Sequence, residues 1–274
     1  DTHIRELHDF IDHKLCFPNA NITGGVCYFL WDSDYTGKCT VCRHDEKGVS
    51  KSSRYLKEKG IDIVIRDERQ KHILKKVQAL REERFSKIVS PRKPYGLSGD
   101  FIKKPSKYGL PPISEKPSRN GLSIWGVEAG SRIQKYLPLD YPLPKKSLDV
   151  SKWKVFINES DGAAGYIGNP TPARILGTPI LGKPYEICTE TFLHIGVFES
   201  EKEAQNVLSY MKTKFFRMLL GIKKISQHMT NRIYDFIPIQ DFSKSWNDKE
   251  LYEKYELTDD EIEYIESHIQ EANW

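Results

Sequence analysis

A chain of 274 residues has the length of one large domain or two of ordinary size. Its composition, 38% hydrophobic, 11% aromatic and 29% charged, excludes disordered and membrane classes, and no stretch approaches the roughly 18 consecutive apolar residues of a membrane helix. The net charge of +4 conceals a polarity, because residues 51–119 hold 19 Lys and Arg against 8 Asp and Glu, whereas residues 241–274 hold 3 against 11.

Taken in chain order, the opening residues read as an amphipathic helix with Ile4, Leu7, His8, Phe10, Ile11 and Leu15 on its apolar side. The chain starts at Asp1 inside this element, without an initiator methionine, which suggests a fragment of a longer protein. The near-continuous apolar run Val26-Cys27-Tyr28-Phe29-Leu30-Trp31 has the signature of a strand buried on both faces. A turn at Tyr35 to Lys38 then makes Cys39 to Arg43 its hairpin partner. Ile61 to Ile65 reads as a further strand, and Asp67 to Arg84 as a helix with Ile73, Leu74, Val77 and Leu80 on one stripe. This region has the texture of the closing part of an α/β domain.

From Ser90 to Pro144 prolines punctuate short strands such as Ser123 to Val127, and the frequent aromatics argue for ordered strand-and-loop structure. Strands are expected at Trp153 to Ile157 and at Ile187 to Ile195, with a glycine-rich loop from Asp161 to Pro170 between them. Ser200 with Glu203 forms a capping box ahead of a helix carrying Ala204, Val207, Leu208, Met211, Phe215 and Leu219. Thr258 with Glu261 repeats the pattern before a terminal helix containing Ile262, Ile265 and Ile269. No internal repeat or low-complexity segment is present.

Five scattered cysteines do not make the disulfide framework of a small secreted protein, so a reducing cytoplasmic setting is expected. Cys39-x-x-Cys42 with His44 invites a zinc reading. Structural zinc takes four ligands, however, and Cys16, Cys27 and Cys188 supply no second close pair, so no metal site is assigned. The glycine-rich loop lacks the context of a phosphate-binding loop or dinucleotide fingerprint. Asp62 with Glu68, and Asp45-Glu46, lack the spacing that converges nuclease carboxylates, and His194 reads as a core or edge residue. No catalytic residue is identified.

Three patches point to a polyanion, since phosphate contacts use cations and base contacts add Arg, amide and aromatic side chains. The first holds Arg92, Lys93 and Tyr95, with Lys103 and Lys104 following through Lys107 and Tyr108. The second holds Arg119, Trp125, Arg132 and Lys135. The third holds Lys212, Lys214, Arg217, Lys223, Lys224, Gln227, Asn231 and Arg232.

Several segments then resemble one family. Gly24 to Asp32 resembles the segment closing the catalytic domain of adenine-specific DNA methyltransferases of type II restriction-modification systems. Tyr210 to Arg217, Lys223 to Gln227, Phe236 to Phe242 and the ending from Trp246 to Glu261 are similar to their far C-terminal part, and Arg92 to Leu97 matches in the middle. The resemblance implies a Rossmann-like domain that binds S-adenosylmethionine and flips an adenine beside an Asn/Asp-Pro-Pro-aromatic motif, followed by a target-recognition domain. Neither catalytic motif stands here, because Asn169-Pro170-Thr171-Pro172 lacks the adjacent prolines and the aromatic.

The expected architecture is therefore α+β, with residues 1–89 a short α/β remnant of the methyltransferase domain and residues 90–274 a mixed α+β target-recognition domain. The expected function is sequence-specific recognition of double-stranded DNA, with no cofactor bound by this stretch and S-adenosylmethionine bound by the parent enzyme. Tyr28 or Phe29 would stack on the flipped base, although packing in a buried strand explains them equally well. No membrane partner is expected, and a nuclease domain or subunit of the same system is a candidate companion. The rival readings are a nuclease-associated part of a fused restriction enzyme and a protein-interaction module whose acidic end docks on a basic partner.

Overall fold

The structure is a computed structural model. It describes all residues except Asp1, Asn21, Thr23, Gly24, Lys47, Lys59, Ser147, Leu148, 161–166, 168–170, Ile225 and Gln227. The fold is α+β. The glycine-rich loop, the Asn169-Pro170 pair and the Gln227 assignment fall largely or wholly outside the described residues.

The amino-terminal helix expected from the apolar spacing is instead a strand, β1 (Ile4–Phe10), followed by a 3-10 turn at His13–Leu15. β1 lies between β2 (Val26–Trp31), antiparallel, and β3 (Cys39–Asp45), parallel, and β3 pairs antiparallel with β4 (Gly48–Arg54). β2 and β3 are therefore not hairpin partners. β2 is also not a buried strand, because it is an edge of the four-stranded sheet β2-β1-β3-β4, and Tyr28, Phe29, Leu30 and Trp31 are each 51–55% exposed. Its apolar sequence lacks the cover that a central strand of an α/β sheet would have.

Residues 61–65 form no strand, yet Ile61 and Ile65 are buried and join the main core. α1 (Glu68–Ala79) follows, its amino terminus capped by Asp67, which accepts a 2.9 Å hydrogen bond from the Arg69 amide. Burial pushes the Asp67 carboxyl up, but the Arg69 and Arg43 guanidiniums outweigh it and hold the group down to about 2. Ile73, Leu74 and Val77 face the core, while Leu80 lies past the helix end and is exposed.

The Pro-rich region contains two 3-10 turns, Gly99–Ile102 and Pro105–Tyr108, and the hairpin β5 (Leu122–Glu128) with β6 (Ser131–Leu137). A second three-stranded sheet comprises β7 (Trp153–Asn158), β8 (Ile180–Gly182) and β10 (Phe192–Phe198), in the order β10-β7-β8. The single strand expected over 187–195 is two. β9 (Glu186–Cys188) pairs parallel with β5, and a turn closed by the Phe192 amide donating to the Thr189 carbonyl separates it from β10.

The long helix after Ser200 is likewise two elements, α2 (Glu201–Lys212) and α3 (Lys214–Lys223), broken at Thr213. The Thr213 backbone is extended, and its hydroxyl donates to the Tyr210 carbonyl and accepts from the Phe216 amide. α4 (Asp248–Lys254) and α5 (Asp259–His268) complete the chain, and the capping boxes at Ser200 and Thr258 are present as expected. The main core joins α1, β7, β10, α2, α3, α4 and α5, and a second core packs β5, β6 and β9 against the 3-10 turns. Among the described residues no helix is long and apolar enough to cross a membrane.

Candidate nucleic-acid interface

Buried anchors and exposed cations alternate between Ser90 and Lys146. Tyr95, Leu97, Phe101, Ile102 and Tyr141 are buried and pack in the second core with Leu122, Ile124 and Ile187. Gly96 closes the first loop at φ +79°, where a Cβ would lie 2.8 Å from the Pro144 side chain. Only glycine fits both that backbone and that approach. The Lys145 amide donates to the Tyr95 carbonyl at 3.2 Å, which seats Lys145 beside the Arg92 to Gly96 loop.

Some cations among these anchors already have acidic neighbours. Arg92 and Lys93 lie 3.4 and 3.5 Å from Glu190, Lys103 lies 3.3 Å from Glu128, and Lys107 lies 2.7 Å from Asp100. Lys104, Lys116, Arg119, Lys145 and Lys146 are exposed, and among the described residues they carry no ion pair. Of these, Lys145 lines a cavity of about 450 Å³ together with Lys87, Pro91, Pro94, His194 and Val197. Lys116, Lys145 and Lys146 are not among the sequence candidates. Exposure without a nearby carboxylate is not visible in a linear charge count.

The structure withdraws several sequence candidates from any interface. Tyr95 is fully buried, its ring edge-on to His194, so it anchors its loop and offers no face to a base. Arg217 is buried and donates to the Thr213, Lys212 and Gln270 carbonyls, and burial lowers its guanidinium's affinity for a proton. Lys224 is buried and donates to the Ile175 carbonyl at 2.8 Å. Lys223 is held by Asp235 at 2.8 Å and Asp62 at 3.1 Å, and Lys214 by Glu266 at 2.6 Å and Glu271 at 3.4 Å. Lys214 thus neutralises part of the acidic end, Lys223 pairs with aspartates elsewhere in the chain, and Arg217 and Lys224 cap carbonyls.

The remaining candidates are mixed. Trp125 is half-buried and donates through Nε1 to Glu186 at 3.1 Å, Arg132 donates to the Thr178 carbonyl, and Lys135 pairs with Glu115. Lys212 and Arg232 are exposed, and Asn231 is half-buried at the head of a 3-10 turn. On β2, Tyr28 stacks on His8 with centroids 4.5 Å apart, and Phe29, next along the strand, lies on the opposite face. Both are available at the surface, which removes the buried-strand explanation for them.

Part of the chain is similar in sequence to a known protein. A 48-residue stretch, 17% of the chain, is 44% identical to an uncharacterized adenine-specific methylase of Mycoplasma pneumoniae, strain ATCC 29342 / M129 / Subtype 1. The match covers 11% of that methylase, so the chain corresponds to about a tenth of its relative's length. No family model matches the chain. Among solved structures, the type IIG restriction endonuclease BpuSI superposes with a TM-score of 0.35 and 11% identity, covering 94% of this chain and 39% of BpuSI. A likeness that weak decides neither fold nor function.

Proposed function

We propose that the chain is the DNA-recognition part of an adenine-specific methyltransferase of a restriction-modification system, working in the cytoplasm. In this reading double-stranded DNA lies on the surface built by the loops and 3-10 turns of residues 92–146. The observation that carries it is the set of exposed cations without ion pairs among the described residues, Lys104, Lys116, Arg119, Lys145 and Lys146, in a segment whose loops are anchored by buried side chains. Phosphates take such cations without first breaking an ion pair, and the resulting interactions orient the protein on the duplex. The partial relationship to a methylase supplies the adenine chemistry of the parent. S-adenosylmethionine and the methyl-transfer residues belong, on this reading, to the rest of that enzyme, as does any fused or companion nuclease. Tyr28 and Phe29 are exposed aromatics of the kind a flipped base stacks on.

The test is the salt dependence of duplex binding. Replacing Lys104, Arg119 and Lys145 by alanine together is expected to reduce the slope of log affinity against log salt by about 0.9 for every phosphate that is no longer neutralised. Lys223→Ala, which breaks an internal ion pair, should change stability and leave the slope intact. An unchanged slope in the triple variant, or no duplex binding by the full chain at low salt, would overturn the assignment.

A further inference from the structure

We propose that Glu6, His8 and Cys42 form a binding site for one divalent transition-metal ion of the zinc class, with a coordination position left open. Glu6 and His8 stand two residues apart on β1 and so share a sheet face, and the parallel register sets Cys42 of β3 beside His8. The Glu6 Oε1 lies 2.9 Å from His8 Nε2 and 3.7 Å from Cys42 Sγ. The three ligand atoms all lie within 4.8 Å of one another. Around a tetrahedral zinc ion, with bonds of about 2.0–2.3 Å, neighbouring ligand atoms sit roughly 3.3–3.8 Å apart. The cluster therefore needs only a small adjustment to close on an ion.

The donor set selects the metal. Thiolate and imidazole suit zinc, cobalt or copper, whereas magnesium and calcium take oxygen ligands. The surroundings also prepare the imidazole. His8 Nδ1 lies 2.8 Å from His44 Nε2, so when Nδ1–H donates to His44 the Nε2 lone pair is left facing Glu6 and Cys42. Once the Cys42 thiol, which donates to Glu6 in the absence of an ion, has lost its proton, all three residues offer lone pairs to one ion. Stacking of Tyr28 on His8 and of Phe10 on His44, with centroids 4.5 and 4.0 Å apart, holds both rings in place. Cys42 is fully buried while Glu6 and His8 are half-buried, leaving an approach from the solvent side. Binding turns the Cys42 thiol into a thiolate and releases its proton to solvent, with no redox change.

This set is not the zinc motif suggested by Cys39-x-x-Cys42. Residues three apart on a strand face opposite ways, and Cys39 lies with Val41 and Leu56 in a separate small core. The site is independent of the DNA surface, since none of its three residues belongs to that surface.

Titration of the full chain with Co²⁺ tests it. One cobalt per chain is expected, with a thiolate-to-cobalt charge-transfer band that one equivalent of Zn²⁺ displaces. Cys42→Ser should abolish the band and Cys39→Ser should keep it, circular dichroism verifying that each variant folds. Should Cys42→Ser fail to fold, Glu6→Gln and His8→Gln carry the same test through a weaker zinc affinity. His44→Phe, which keeps a ring against Phe10, should weaken zinc binding about 10–100-fold. Absence of the band at stoichiometric cobalt, or a band that survives Cys42→Ser, overturns the proposal.

Discussion

His194 shows how far a single residue's environment departs from its sequence context. It is 1% exposed, its Nε2 has no hydrogen-bond partner among the described residues, and burial together with the nearby Lys154 ammonium lowers its pKa to about 3. The unfolded chain binds a proton there below about 6.5 and the native state does not. Stability should therefore fall as pH drops from about 6.5 to about 3, with a slope approaching 1.4 kcal/mol per pH unit. In His194→Leu that acid limb should flatten when urea midpoints are measured across this window. The carboxylate of Asp67 loses its stabilising contribution only between 3.8 and about 2, mostly below the His194 window. That His194 is interior was legible from its apolar strand. That Arg217 and Lys224 are interior was not, because a buried cation can be satisfied by carbonyls that lie far away in sequence, as Ile175 is from Lys224 and Gln270 from Arg217.

The helix starts at Ser200 and Thr258 were legible, since a capping box is local and its partners lie three residues apart, whereas the same pattern at Asn247 with Glu250 went unread. Strands fared worse where tertiary contacts set their faces. On β1, Glu6 and His8 share one face with Phe10, and the other face pairs Leu7 with Asp9, which is buried beside Arg66. Neither face is uniformly apolar, so period two was masked and a helical spacing stood out instead. The division of α2 from α3 was hidden for a different reason, because apolar residues continue in register through Thr213. The break is held locally by the Thr213 hydroxyl and from α4 by Asp248, whose carboxylate accepts from the Lys214 and Phe215 amides at 3.0 and 2.8 Å. Thr213→Ala is expected to cost about 0.5–2 kcal/mol by removing an amino-terminal cap. Urea unfolding should show this as a lower midpoint with an unchanged slope.

Across the whole molecule, the charge polarity divides into two jobs. Part of the acidic end is paired internally, Glu261 with Lys76 and Glu266 and Glu271 with Lys214. The loops of residues 92–146 keep several cations unspent. The linear count located both regions but could not separate paired from free charge. The main core also binds the first third of the chain to the last, since Ile73, Leu74, Val77 and Phe85 pack with residues of α3 and α5. Each such side chain contributes about 1.5–3 kcal/mol by burial, and together they rival a typical domain's whole stability of about 5–15 kcal/mol. A chain starting at Ser90 is therefore expected to lose the single cooperative urea transition of the full chain. A separate transition in the full chain, reproduced by residues 90–274 alone, would instead support two folding units divided at 89/90.

The outer side of β2 has a consequence of its own. Among the described residues no strand lies against it, and Val26 to Trp31 contains no lysine, glutamate or proline of the kind that natural sheets use to blunt an edge. The outward backbone of Val26 to Leu30 forms a template with a preset alternation, Tyr28 and Leu30 to one side, Cys27 and Phe29 to the other. Any extended segment that docks there must match that parity, and the edges of this sheet on another molecule, β2 and the exposed β4, are two such segments.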